Sequence, residues 1–411
     1  MPLFCLIAGA AAQRDSSGPP TDRISALSRQ IEAGAVRLAF DPDNGYLRSL
    51  LTALRVPVES QVVVFSQTSM QFDLISPRNP RAVFFGDEVA LGWVRGAETI
   101  ELAALDPGQG VNFYTLEQRE SARPQLRRES SRCVTCHLSP DTLGVPGLLT
   151  FSTFSIPQDK YSYAAGAATD HRTPVEDRWG GWYVTGRTGS MRHLANAEVP
   201  QSLRSQTGKQ AQPRQLDSLQ GLFDLRGFPT HHSDVVALMV LEHQTRMTNL
   251  LARLASDARA ALRPEPAQAP FPRKGPGRSD PNTLRETVND FVDYLLFVDE
   301  APLGRIRGST TFAEKFSAGG RLDREGRSLR QLALDERLMR YPCSYMINTE
   351  AFDHLPRTAM DLVYERMWAI LSGRERGAPY TRLSLDDRRT IVEILKETKE
   401  GLPPYFAQVT Q

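Results

Sequence analysis

Cysteine is scarce in this sequence, with four residues in a chain of 411. Cys5 lies in an apolar run at the N-terminus, Cys133 and Cys136 stand three residues apart, and Cys343 has no cysteine near it. A disulfide scaffold needs paired cysteines spread through a short chain. The sequence therefore excludes that class of small, cross-linked protein.

An excess of charge and long apolar runs are also lacking. Lysine and arginine number 49 against 48 aspartate and glutamate residues, so charge gives no reason to expect binding of nucleic acid or of an anionic membrane. Beyond the N-terminus no run approaches the roughly 20 apolar residues that a membrane helix needs. The best candidate, Val235–Leu241, stops at Glu242. We expect no integral membrane segment in the mature chain.

The first 12 residues form an apolar run that ends in three alanines. An apolar stretch closed by small residues is typical of a secretory signal and its cleavage site, although the basic residues that usually precede such a stretch are missing here. We interpret residues 1–12 as a signal segment. The expected location of the protein is the periplasm or the extracellular space.

The amino-acid composition and hydrophobic periodicity of the remaining chain change along its length, and these changes predict three further regions. Residues 22–118 combine a helix-like start with short β-rich runs separated by turn residues. Residues 119–230 are rich in glycine, proline, serine and threonine and indicate mainly loops, with one candidate strand at Trp182–Thr185. Residues 231–411 have helical periodicity. The expected fold class is mainly α with a small antiparallel β unit beside a loop-rich centre.

The helical half contains recognisable starts and apolar stripes. Asp234–Leu262 carries apolar residues at a spacing of about 3.6, which predicts one long amphipathic helix. Thr283 and Glu286 have the spacing of a capping box and predict the start of a second helix. Ser384 and Asp387 have the same spacing and predict the start of the last one.

The motif with the most specific chemistry is Cys133-Val134-Thr135-Cys136-His137. It has the C-x-x-C-H pattern of c-type haem attachment, in which two thiols one turn apart each add to a vinyl group of the porphyrin. The adjacent imidazole then lies under the iron as its proximal ligand. The motif predicts one covalently bound haem c, with Cys133 and Cys136 as attachment residues and His137 as an iron ligand.

Three other interpretations of the motif remain open from the sequence. A structural zinc site usually needs four cysteine or histidine ligands, and neither Cys343 nor the pair His231 and His232 supplies a second cluster. A thioredoxin-like redox pair follows a strand in a βαβ unit, whereas this pair follows a charged segment. Chance occurrence is the third alternative. The spacing favours haem over all three.

The segment Cys133–Gly147 resembles the haem-attachment segment of the cytochrome c superfamily. More broadly, the chain is similar to a group of large secreted bacterial proteins described only as containing a cytochrome c domain. The similar segments are Val64–Ser69, Arg178–Gly186, Leu241–Gln244 and Tyr341–Tyr345. The resemblance implies a covalent haem and implies no particular activity.

In the cytochrome c superfamily a proline after the motif often offers its carbonyl to the proximal histidine. This resemblance implies Pro146 for that role, although its spacing from His137 is shorter than the superfamily pattern.

The second axial position of the iron distinguishes an electron carrier from a haem enzyme. An electron carrier fills this position, usually with Met or His, whereas an enzyme or gas binder keeps it open. His193 in the glycine-containing loop after the motif is the first candidate, and Met191 in the same loop is the second. His243 lies on the apolar stripe of its helix and is the third, ahead of His171.

These observations predict a secreted single-haem protein that transfers electrons to and from a redox partner protein. A haem enzyme of peroxidase or oxidase type, with an open distal site, is the alternative. A haem-based sensor or binding module is a further one. The chain devotes some 300 residues to regions that a bare electron carrier does not need, which favours a docking or binding role in addition to the haem.

Overall fold

A seven-stranded antiparallel sheet is the centre of the computed structural model, which describes residues 18–153, 166–196, 214–262 and 281–408. The strand order is β6-β5-β4-β3-β2-β1-β9, and every neighbouring pair is antiparallel. The strands are β1 Val62–Val64, β2 Arg81–Phe85, β3 Val89–Val94, β4 Thr99–Asp106, β5 Gly110–Glu117, β6 Leu126–Glu129 and β9 Trp182–Tyr183. A separate two-stranded sheet pairs β7 Phe151–Ser152 with β8 Ala167–Ala168.

Both faces of the large sheet are packed against helices. Side chains alternate between the two faces along each strand, so the strands contribute to both apolar clusters. In β4, Ile100, Leu102 and Ala104 belong to one apolar cluster, whereas Ala103 and Leu105 belong to the other. The sheet therefore separates two cores, one formed with the N-terminal helices and one with the C-terminal helices.

The N-terminal layer consists of two short helices, α1 Arg23–Glu32 and α2 Leu47–Leu54. Asp22 caps α1 by accepting hydrogen bonds from the backbone N–H groups of Ile24 and Ser25. The second carboxylate oxygen of Asp22 accepts from the hydroxyl of Tyr114 on β5, at 2.6 Å. The cap thus also attaches the helix to the sheet.

The C-terminal layer is built around one long helix, α4 Val235–Ala261, which is buried over most of its length. Asp234 caps it, as the predicted start requires. The other helices are α3 Ser131–His137, α5 Pro281–Leu295, α6 Phe312–Ala318, α7 Glu350–Asp353, α8 Arg357–Leu371 and α9 Leu385–Thr398. In the part of the chain that is described, none of these helices is long and apolar enough to cross a membrane.

The predicted fold class, mainly α with a small antiparallel β unit, is wrong. The described residues are 37% helical and 15% strand, and a seven-stranded sheet separates the two cores. The sheet is larger than expected because β6 and β9 join it from residues 119–230, where the only candidate strand was Trp182–Thr185. β6 reads Leu-Arg-Arg-Glu and buries only Leu126, and β9 has two residues, so neither has a recognisable period. The sheet thus takes strands from both sides of residue 118.

The two predicted capping boxes have different outcomes. Ser384 and Asp387 exchange both hydrogen bonds at the start of α9, so that box is confirmed. Thr283 and Glu286 lie inside α5, which begins at Pro281. Proline suits the first turn of a helix because its missing N–H would have no partner there.

Candidate functional site

The motif Cys133–His137 lies in α3, which follows the edge strand β6 almost directly. Cys133 and His137 are four residues apart and Cys136 is one turn after Cys133, so the helix brings all three to one side. Cys136 is exposed, Cys133 is half-buried against the C-terminal core, and both are free thiols. The helix therefore presents two thiols and an imidazole together.

The imidazole of His137 is fixed on two sides. Its ring rests on Phe113 of β5, with a centroid distance of 4.7 Å, and its Nδ1 lies 2.8 Å from the carbonyl oxygen of Gly147. A carbonyl only accepts, so Nδ1 carries the proton and donates, and the lone pair is on Nε2. Nε2 makes no hydrogen bond to any described residue. Iron-binding histidines are held in this manner, with the second ring N–H on a backbone carbonyl.

The carbonyl that holds His137 belongs to Gly147, so the prediction of Pro146 is off by one residue. Gly147 also donates its N–H to the carbonyl of His137 at 2.9 Å, which closes the loop on the helix end. A Cβ at position 147 would collide with the side-chain amide of Asn249 on α4. Only glycine allows this close approach of the loop to α4.

Asn249 clamps the backbone of the next residue, Leu148. Its Oδ1 accepts from the Leu148 N–H and its Nδ2 donates to the Leu148 carbonyl, each at 2.8 Å. One turn later, Arg253 donates to the carbonyl of Leu143 at 2.8 Å. The long helix thus holds the loop that orients His137.

Asn249→Ala should lower the free energy of unfolding by about 2 kcal/mol, because it leaves two backbone groups of Leu148 without partners. Urea unfolding of the variant measures this loss. Asn348→Ala is the matched control, since the Asn348 side chain makes no hydrogen bond to the described residues and its Oδ1 is buried without a partner. Equal stability of the two variants would show that the clamp does not contribute.

Beside the motif, the sheet carries charged and unpaired polar groups. Arg81 on β2 bonds Glu101 on β4, with Nη2 2.6 Å from Oε2, and the charges of both act on the pKa of His137. Arg81 Nε is buried and has no hydrogen-bond partner. Gln71 Oε1 and Ser139 Oγ are also buried without partners. These are three of the ten such atoms in the described chain. Buried polar groups normally have partners. A ligand with acidic groups would supply one to the Arg81 N–H.

The residues at this site fit haem c. It needs two thiols one turn apart, an imidazole with a free nitrogen, and a donor for its propionate carboxylates. Cys133, Cys136, His137 and Arg81 are of these types. Burial, more than any charge, lowers the pKa of His137 and so favours the neutral form of the ring, which is the form that binds iron.

The thiol chemistry argues against a redox disulfide. Burial, with smaller contributions from the charges of Glu101 and Glu129, raises the pKa of Cys133 to about 11. Thiols that exchange disulfides have lowered pKa values instead. The pair does follow a strand, contrary to the sequence interpretation, but β6 pairs antiparallel with β5 and so belongs to no βαβ unit.

A zinc site would require side chains that converge on one point. Among the residues that the structure describes, no group of three His, Cys, Asp or Glu side chains is placed to hold a metal ion. Haem attachment does not require such convergence, because the two sulfurs bond to porphyrin carbons and only the imidazole reaches the metal.

His193, the first candidate for the second axial ligand, has both ring nitrogens engaged. Its Nδ1 accepts from the N–H of Ala195 and its Nε2 lies 3.2 Å from Thr188 Oγ1. The ring is buried against Trp179, and burial lowers its pKa to about 4. The role of His193 as the second axial ligand stays a prediction. Binding of iron by His193 would require one of these two hydrogen bonds to break.

Met191 and His243 also make hydrogen bonds within the protein, and His171 bonds through its Nδ1, whereas its buried Nε2 has no partner among the described residues. The sulfur of Met191 accepts from the N–H of Gly304 at 2.9 Å. His243 is fully buried, with Nδ1 2.8 Å from His171 Nδ1 and Nε2 2.7 Å from Ser344 Oγ. Neither histidine of this pair faces an open surface.

Three of the four segments that carried the resemblance contribute to neighbouring buried polar contacts on α4, which sequence reasoning did not anticipate. Arg178 and Glu242 form an ion pair of 3.4 Å whose side chains are 2% and 1% exposed. The Glu242 carboxylate also accepts from Trp179 Nε1 at 3.1 Å and from Thr169 Oγ1 at 2.8 Å. Next to it, Tyr345 donates to Gln244 at 2.7 Å. This network joins α4 to the loop after β8.

The adjacent pair His171 and His243 is stacked among aromatic rings. His171 lies 4.0 Å from the ring of Tyr294, and Phe297 lies 4.6 Å from His171 and 4.5 Å from His243. Burial lowers the pKa of both, that of His243 to about 3. Burial thus disfavours the charged form of both rings, and one Nδ1–H of the pair donates to the other Nδ1.

His243→Gln should reduce the sensitivity of the fold to acid. Below about pH 6.5 the unfolded chain binds a proton at this histidine and the folded chain does not, so acid favours unfolding until the pH reaches about 3. The stability of the variant relative to the wild type should rise by about 1.4 kcal/mol per unit of pH decrease. Urea titrations between pH 6 and pH 4.5 measure it. His354→Gln, which removes an exposed histidine, is the control, and equal slopes for all three proteins would contradict the expectation.

No protein-family model, curated protein or solved structure matches this chain. The candidate function therefore depends on the chemistry of the site itself.

Proposed function

We propose that this chain carries one haem, covalently bound through Cys133 and Cys136 with His137 as proximal ligand, and that it is an exported electron-transfer protein. The observation that carries the proposal is the hydrogen bond from His137 Nδ1 to Gly147, which leaves Nε2 for iron on the side of α3 that holds both thiols. A haem held by these residues would supply one-electron chemistry between Fe(III) and Fe(II).

The protein residues have separate tasks in this account. Cys133 and Cys136 would hold the haem, each thiol adding its sulfur to one carbon of a vinyl group and its proton to the other, so attachment would consume no oxidant. His137 would hold the iron through Nε2, and Gly147 fixes the orientation of its ring. Arg81, whose buried Nε has no partner, would offer its N–H to a propionate. Phe113 covers the ring of His137 and excludes water from its face.

Covalent attachment of this kind is completed outside the cytoplasm in bacteria, which supports the interpretation of residues 1–12 as a signal segment. Those residues lie outside the described part of the chain. An electron carrier also needs donor and acceptor proteins, so we propose a redox partner that docks near the exposed Cys136 side of α3.

A haem enzyme with an open sixth position is the second candidate. His193, Met191 and His243 all make hydrogen bonds within the protein, so none of them can bind iron without rearrangement. These hydrogen bonds favour the haem enzyme.

Optical spectra of the purified protein, oxidised and reduced, separate the two. An electron carrier should be low-spin in both states and should bind cyanide and carbon monoxide slowly or not at all. A high-spin ferric spectrum with rapid binding of either ligand would contradict the carrier and support the enzyme. His193→Ala should convert a low-spin spectrum to high-spin if His193 is the ligand.

A further inference from the structure

A small cavity of about 120 Å³ lies between the turn that joins β2 to β3, the segment after α6 and the residues just before α7. The residues that line it include Asp87, Arg321, Ser328, Arg330 and Asn348, and none of them belongs to the haem-attachment motif. One water molecule takes roughly 30 Å³, and sites for larger organic ligands usually measure about 300–1,000 Å³. The cavity therefore suits a ligand the size of a small ion.

The guanidinium of Arg330 is fixed in the wall of this cavity by two rings and a carboxylate. Its central carbon lies 4.8 Å from the ring centroid of Phe316 and 4.5 Å from that of Tyr345, and its Nη2 donates to the carboxylate of Asp87. A guanidinium has several N–H groups, and Nε and Nη1 of Arg330 make no hydrogen bond to any residue that the structure describes. Arg330 thus has a fixed orientation and keeps N–H donors for a ligand.

A second arginine at the cavity has no carboxylate partner. The segment 319–330 carries four arginines, and two of them, Arg324 and Arg327, form ion pairs with carboxylates at 3.3 and 2.7 Å. Arg321 instead donates from Nη1 to the carbonyl of Thr398 at 3.2 Å, and it forms no ion pair within the described chain. Two arginines against one aspartate line the cavity, so its lining has a net positive charge. This charge favours an anion as the ligand.

Two buried polar groups of the cavity wall indicate which anion fits. The hydroxyl of Ser328, a residue 1% exposed, accepts from the N–H of Arg330 at 3.1 Å and donates to no described residue. Asn348 Oδ1 is buried and accepts from no described residue. Since buried polar groups normally have partners, a matching ligand offers an acceptor to Ser328 and a donor to Asn348. A hydrogenphosphate ion has both, whereas a sulfate ion has acceptors only.

We propose that this cavity binds a singly protonated phosphate group, held by Arg321, Arg330 and Ser328 through its oxygens and by Asn348 through its O–H. Planar guanidinium groups suit phosphate because their N–H donors match its oxygens in pairs. The proposal goes beyond electron transfer and gives the chain a second ligand. Phosphate binding needs no haem, so the outcome of its test is independent of the proposed function.

Isothermal titration calorimetry of the full chain with inorganic phosphate, at neutral pH and constant ionic strength, tests the proposal. The wild type should bind a single phosphate and should bind sulfate more weakly. Arg321→Met should weaken phosphate binding by about tenfold or more, because it removes charge-assisted hydrogen bonds. Arg324→Met is the matched control, since it removes an exposed arginine of the same segment that does not line the cavity. It should bind phosphate like the wild type.

Two further titrations identify the anion more closely. Asn348→Ala should bind phosphate and sulfate with similar affinity, because it lacks the acceptor for the phosphate O–H. Glycerol phosphate distinguishes the end of a phosphomonoester from a free ion. Binding of glycerol phosphate as tight as that of inorganic phosphate supports the monoester, and weaker binding supports the free ion.

Absence of saturable phosphate binding to the wild type would overturn the proposal. Equal phosphate affinity of Arg321→Met and the wild type would also overturn it, as would equal affinity of the wild type for phosphate and sulfate. Circular dichroism shows whether each variant is folded. Ser328→Ala, which removes one buried hydroxyl, should also weaken phosphate binding and replaces Arg321→Met in the test if that variant does not fold.

Discussion

Replacement of both Cys133 and Cys136 by alanine should abolish covalent haem completely. The chain would be exported from a host that attaches haem c, denatured, and run on a gel stained for haem-linked peroxidase activity. Each single variant should keep one thioether bond and stain more weakly, because each thiol adds independently to its own vinyl group. The double variant should not stain at all.

Two controls make this result specific. Cys343→Ala removes a buried cysteine distant in sequence from the motif and should keep the full stain. His137→Ala keeps both thiols and should retain covalent haem while losing the low-spin spectrum, since it removes only the proximal ligand. Staining of the double variant at the wild-type level would contradict attachment at these residues.

The second large effect concerns the ion pair between Arg178 and Glu242. Arg178→Met should lower the free energy of unfolding by about 3–5 kcal/mol, because it leaves a buried carboxylate without its cation. It also removes the donors to the carbonyls of Thr173, at 2.7 Å, and His171, at 2.8 Å. Burial already raises the pKa of Glu242 despite Arg178, so the carboxylate depends on that charge. Urea unfolding measures the change.

A double variant tests whether the pair acts as a unit. Arg178→Met combined with Glu242→Leu should cost much less than the sum of the single substitutions, since no uncompensated charge remains. Arg357→Met is the matched control, because its ion pair with Asp361 is solvated, with side chains 83% and 54% exposed. A loss for Arg178→Met no larger than for Arg357→Met would show that the buried pair does not stabilise the core.

Parts of the fold were predictable because local chemistry determined them. Asp234 and the apolar stripe behind it specify α4, and Ser384 with Asp387 specifies the start of α9. The strands β1 to β4 are apolar runs between turn residues and were expected. β6 was missed because its place in the sheet comes from tertiary pairing, with its arginines and glutamate on an edge strand. Trp182–Thr185 was a candidate strand, and what the sequence did not indicate is that β9 pairs with β1 in the large sheet.

The candidate site was predictable only where it is contiguous in sequence. Cys133, Cys136 and His137 belong to one motif, so their chemistry follows from their spacing. The carbonyl of Gly147 and the clamp by Asn249 depend on how the loop after α3 packs on α4. The engagement of His193 likewise depends on Thr188 and Ala195, and no spacing rule gives those contacts.

Mass spectrometry of the wild-type chain, exported from a host that attaches haem c, then unfolded and desalted, tests the central claim most directly. The account predicts a mass equal to that of the processed polypeptide plus one haem, with the added mass on the peptide that contains Cys133 and Cys136. A mass equal to that of the polypeptide alone would contradict covalent haem binding by this protein.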